Sequence, residues 1–268
     1  GAGDVYLQAV RDVNINGTAS ILSDDWTEID TGRNVTMAAG TSITAGGEIH
    51  VDGGTGGTLT LDYLETLGTY AGTPSDRGSA IQVGVYNSLG RTPEVVATDS
   101  WISAGGAIVS GSAVTLKDVS AGSDEAWDGP STSLVSSGAG IDVNATTDIN
   151  VNGTLTTVDG GGLDIFMTAG QDVLFNTDGN LDADEDAQIW VGRNVTMSTS
   201  SQIDADTNIN IEGGATGKLT LDALNAGNDI IVGLLSAGAA EIEATDAWDA
   251  GGVVFAQGTD ITLLDVEA

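Results

Sequence analysis

Apolar residues along this chain come in short alternating pairs, and the pairs recur at a fixed distance. Val13-x-Ile15 returns as Val35-x-Met37, Ile21 as Ile43, and Ile29 as Val51, always at an offset of 22. The same spacing separates Val173-x-Phe175 from Val195-x-Met197, Leu181 from Ile203, and Ile189 from Ile211. Gly, Asn, Asp, Ser and Thr fill the intervals. Brief alternation between turn formers predicts short strands, and no stretch sustains helical spacing. Even the Ala-rich stretch 221–240 reads as strands, because its earlier counterpart holds Val83-x-Val85.

A larger repeat contains the smaller one. Gly32-Arg33-Asn34-Val35-Thr36-Met37, Ile43, Ile49-His50-Val51 and Leu59-Thr60-Leu61-Asp62 return, at a constant offset of 160, as Gly192-Arg193-Asn194-Val195-Thr196-Met197, Ile203, Ile209-Asn210-Ile211 and Leu219-Thr220-Leu221-Asp222. Ala97-Thr98-Asp99-Ser100-Trp101 returns as Ala244-Thr245-Asp246-Ala247-Trp248, now offset by 147. The first copy is therefore the longer by thirteen positions, placed between about Thr69 and Gln82, where Pro74, Asp76 and Gly78 have the composition of an exposed turn. Residues 120–140 read as a loop or bulge. The division expected is a first copy over 1–136, connecting coils over 137–160 and a second copy over 161–268, all in one continuous solenoid.

A fixed period near 22 built from strands and turns means that each repeat buries its apolar face only by stacking on its neighbours. The predicted fold is all-β, a parallel β-helix. At roughly 4.8 Å between stacked strands, about twelve coils would make a rod about 60 Å long. Segments such as Gly3-Asp4-Val5-Tyr6-Leu7-Gln8-Ala9 and Gly192-Arg193-Asn194-Val195-Thr196-Met197 resemble the secreted repeat proteins of the filamentous-haemagglutinin and autotransporter-passenger type. That resemblance implies a right-handed parallel β-helix in a surface or secreted protein that adheres, builds filaments or acts as a stalk. The haemagglutinin family's amino-terminal secretion signature is not present.

Composition narrows the partners. Against 7 basic residues stand 39 acidic ones, a formal charge of -32, which disfavours nucleic acid and anionic membranes. Such a chain also repels itself unless ions screen it. No apolar run reaches membrane-spanning length, and cysteine is absent, so disulfides and thiolate metal sites are excluded. The chain starts without Met, and Ala268 aligns with the interior residue Ala121. A processed form or a piece of a longer chain is expected, either continuing or stacking end to end on another molecule.

Candidate chemistry is concentrated in carboxylates. Asp178, Asn180, Asp182, Asp184 and Asp186 alternate, with Asp204, Asp206 and Asn208 one period later, a supply of hard oxygen ligands suited to Ca²⁺. The plainer reading is a solvated acidic face. Ala183 and Ile189 stand where an EF-hand loop needs Gly and Glu. Asp24, Asp25, Glu28 and Asp30 hold the equivalent place in the first copy.

Trp26, Trp101, Trp127, Trp190 and Trp248 mostly sit near Asp; they either pack corners of the core or stack on sugars, and packing is favoured. Asn16, Asn34, Asn144, Asn152 and Asn194 head Asn-x-Thr sequons, which could carry glycans or arise by chance in strands rich in Asn and Thr. His50, the one histidine, has Asn210 as its counterpart, so His-based catalysis is disfavoured. With Lys117 and Lys218 the only lysines and so negative a surface, uronic-acid polymers are poor substrates. The run 53–57 reads as a coil corner, not a phosphate loop. The expectation is a non-enzymatic, extracellular rod module of a filament, sheath or giant adhesin. The alternative is a β-helix that binds or degrades a polysaccharide.

Overall fold

The computed structural model describes residues 3–68, 80–85, 92–122, 139–158, 162–233 and 240–268. Among them there is no helix, and the strands form three parallel sheets of 11 strands each. Each strand pairs with its counterparts in the adjoining coils, so the described residues form a β-solenoid of eleven coils. Coil 1 consists of Val5–Ala9, Asp12–Ile15 and Ser20–Ser23, which open the sheets called A, B and C. Coil 11 consists of Val254–Ala256, Ile261–Thr262 and Asp265–Glu267. The axial length follows as about 50 Å.

The register is the one the sequence period predicts. Val13 lies beside Val35, Ile15 beside Met37, Ile21 beside Ile43, and Leu181 beside Ile203. Down the inside of sheet A, Ile29, Val51, Val83, Val109, Val143, Met167, Ile189, Ile211 and Val232 follow one another in consecutive coils, all buried. β-Branched residues suit such ladders because the pleat seats them against like neighbours. Their burial supplies the cohesion, and no coil could bury its inward row alone.

Eleven coils replace the expected twelve because coil length varies. Thr27 pairs with Ile49 at the regular spacing, whereas Ile49 pairs with Ile81 and Ala107 with Ile141, both well beyond it. The surplus sits at corners. Between Leu64 and Ile81 the first copy is eleven positions longer than its counterpart between Leu224 and Ile230. Two more lie between Val83 and Val95 relative to Val232 and Ile242. Residues 69–79 and 86–91 fall outside the described set. So do 123–138, and the irregular stretch is narrower than 120–140, because Val119–Ala121 is a strand of sheet C and Ala139–Ala145 a strand of sheet A. The stretch from 221 onward carries the strands Ala223–Ala226 and Ile230–Val232, as expected.

The run 53–57 is a corner. A Cβ on Gly54 would run into the carbonyl oxygen of Gly32 in the coil below, and Gly214 stands in the same relation to Gly192. Only glycine lets adjacent corners approach so closely.

Candidate functional site

The alternating acids do not gather on one face. Asn180 and Asp182 lie in the strand Asn180–Ala183 of sheet C, with Asp182 beside Asp204, while Asp178 precedes that strand. After Ala183 the chain turns toward sheet A, carrying Asp184 and Asp186 onto the corner and breaking the alternation. Asp184 accepts from the Gly162 N–H at 2.9 Å, and Asp186 from the Asn208 N–H and carboxamide at 3.0 and 2.9 Å. Asn180 accepts from the Gln202 N–H at 2.8 Å. Asp206 lies in the next corner. Among the described residues no group of three or more His, Asp or Glu side chains is arranged to hold a metal ion. In the first copy, Glu28 and Asp30 face outward from sheet A and Asp24 and Asp25 occupy a corner.

What these carboxylates and amides do visibly is bind coil to coil. Asp172 accepts from the backbone N–H and carboxamide of Asn194 at 3.1 and 2.8 Å, and Asn194 in turn accepts from the Lys218 N–H at 2.8 Å. The first copy repeats this with Asn34 on Asp12 and the Thr58 N–H on Asn34, at 2.8 and 2.9 Å. Arg193 pairs with Asp172 as Arg33 does with Asp12, and the pairing holds the Asp172 carboxyl below its ordinary pKa. Corner N–H groups that no strand satisfies thus find side-chain acceptors one coil away.

The Ala-Thr-Asp-x-Trp repeat has a structural explanation. Asp62, buried, accepts from the N–H groups of Gly40 and Thr41 at 2.7 and 3.1 Å and from the Thr98 hydroxyl at 2.9 Å. The Trp101 indole N–H donates to its carbonyl at 3.0 Å. Asp222 does the same with the Ser200 N–H, the Thr245 hydroxyl and Trp248, at 2.6, 2.7 and 3.2 Å. Each staple ties three coils together. Trp101 and Trp248 therefore pack the core, while Trp127 lies outside the described residues. Trp26 meets His50 edge-on, with centroids 6.1 Å apart, and the His50 Nε2 lies 2.8 Å from a Glu48 carboxylate oxygen.

Of the sequons, Asn16 and Asn152 are exposed, whereas Asn34, Asn144 and Asn194 are half-buried and donate their carboxamide N–H to Asp12, Asp142 and Asp172. Asp142 faces outward from sheet A yet is buried. Loss of water raises its pKa to about 6, a shift the Asn144 bond only partly opposes.

One Trp breaks the packing rule. Trp190 faces outward from sheet A in coil 8 and is 44% exposed, with its ring edge-on to Phe166 at a centroid distance of 6.3 Å. In register around this pair lie Thr168, Gln188, Asn210 and Glu212. The signal was in the sequence: Ile189 belongs to a buried ladder, so its neighbour must point the other way.

At one end of the solenoid, coil 11 presents apolar residues to solvent. Val253, Phe255, Ile261, Leu263, Leu264 and Val266 are all exposed. At the other, Leu7, Val13 and Ile21 of coil 1 are only partly covered. Compared with known proteins, the chain matches no family model, no curated protein and no solved structure.

Proposed function

We propose that the chain is a structural rod of the cell exterior, a stiff module of a filament, sheath or giant adhesin that extends by stacking coil on coil, onto a second copy or onto further coils of a longer chain. The observation that carries this reading is the unbroken register of the three ladders, which a further coil can continue at either side. With coil 1 of a second copy laid on coil 11 in the register used throughout the solenoid, Val254 and Ala256 meet Val5 and Leu7, Ile261 meets Val13, and Val266 meets Ile21. Outside, Phe255 meets Tyr6. Parallel strand edges continue the three ladders, and the joint is of the head-to-tail kind that generates open filaments. The likeness to haemagglutinin-type and autotransporter-passenger sequences supports the exterior location. No chemistry is required of the molecule; its task is mechanical, to hold distance and resist proteolysis.

The test is electron microscopy and sedimentation of the purified chain against a variant carrying Ile261→Lys and Val266→Lys. The native chain is expected to form rods several units long as concentration rises, and the variant single particles with unchanged circular dichroism. A native chain that stays a single particle at high concentration, with its β spectrum intact, defeats the joining of copies.

A further inference from the structure

We propose that the outer face of sheet A in coils 7 to 9 is a binding strip for a neutral polysaccharide, centred on Trp190. The internal duplication makes the argument. At the corresponding place the first copy carries Glu28, Asp30, His50 and Asp52, and the second carries Gln188, Trp190, Asn210 and Glu212. A face of three carboxylates and one imidazole has become one of two amides, an indole and one carboxylate. This occurs in a chain whose net charge is -32, so the exchange strips charge from one patch of an otherwise acidic surface.

The aromatic pair is preserved in kind, with Phe166 where the first copy has Tyr6, but only the second copy sets an indole beside it. Trp190 has no core to cover here, since Ile189 and Val191 fill the inside of that strand. An indole face stacks on the C–H surface of a sugar ring, while amides both donate to and accept from hydroxyls. Successive coils offer Thr168, Gln188 and Asn210 in neighbouring rows, and strands stand about 4.8 Å apart, close to the length of one hexose unit along an extended chain. Glu212, beside Trp190 in register, has its pKa raised by desolvation, which places a poorly hydrated acceptor next to the stacking platform. The remaining acidic coat excludes anionic polymers.

The experiment is affinity electrophoresis of the rod carrying Ile261→Lys and Val266→Lys, so that the result does not depend on end-to-end joining. Gels contain hydroxyethylcellulose, laminarin or galactomannan, with alginate as the anionic comparison. Retardation is expected in at least one neutral gel and none in alginate. Trp190→Thr, which installs the residue of the preceding coil, is expected to weaken binding at least tenfold with an unchanged melting temperature. Gln188→Glu with Asn210→Asp makes the face acidic and is expected to weaken it as well. Equal mobility in every neutral gel, retardation that survives Trp190→Thr, or equal retardation in alginate overturns the proposal. So does a dimer in sedimentation that Trp190→Thr dissolves, because the patch would then be a protein contact.

Discussion

Asp142 shows how a single side chain can set the pH response of this molecule. Its folded pKa stands at about 6 against an ordinary 3.8, so between those values the unfolded chain has released a proton that the folded chain still holds. Stability from this group is full below the lower value and is lost as pH rises through the upper one. Asp142→Asn is expected to flatten that decline and to be more stable than the parent at pH 7 by about 2 kcal/mol, read from denaturant melts across the pH range. Asp172 acts in the opposite sense. Its pKa is lowered by Arg193, so it stabilises at neutral pH and ceases to do so on acidification. Neither shift is legible in the sequence, because each arises from how the folded coils surround the carboxyl. The outward direction of Trp190, by contrast, could be read from the parity of its strand.

Strands and their register were open to inspection in the chain because inward positions repeat from one coil to the next, and a one-residue slip would turn Val51 or Ile211 out to solvent. Corners were harder to read. The run from Asp178 to Asp186 alternates in sequence, but alternation puts residues on one face only while the chain stays extended, and it turns after Ala183. The staples were visible as repeated letters without a visible purpose. Their duplication makes a paired forecast: Asp62→Ala and Asp222→Ala should each cost on the order of 2–4 kcal/mol, since each strands several donors from neighbouring coils. Equilibrium unfolding of the two variants side by side checks this. A loss in one copy and none in the other contradicts the equivalence of the two sites.

Across the molecule the dominant electrostatic fact is self-repulsion. Basic residues such as Lys218, held between Glu241 and Glu243 at 2.9 and 2.5 Å, offset little of a charge of -32. Raising NaCl from about 10 mM to about 1 M is expected to raise the melting temperature by several degrees as screening shortens the range of repulsion. Because the corner carboxylates are spread along the rod and already accept hydrogen bonds, CaCl₂ at matched ionic strength should give the same rise. A larger rise at millimolar Ca²⁺, reversed by EDTA, would instead reveal a specific ion site. The coil count was the part of the architecture that resisted reading, since the strand Ile81–Val83 pairs normally on both sides despite the long connection before it.

That connection has a consequence for how such a molecule can change. Ile81 meets Ile49 and Ala107 in the ordinary register although the connection before it is eleven positions longer than its counterpart in the second copy, so the ladder is indifferent to the length of chain between its rungs. Sequence can be gained, lost or engineered between strands, one coil at a time, and the ladder on either side registers no difference.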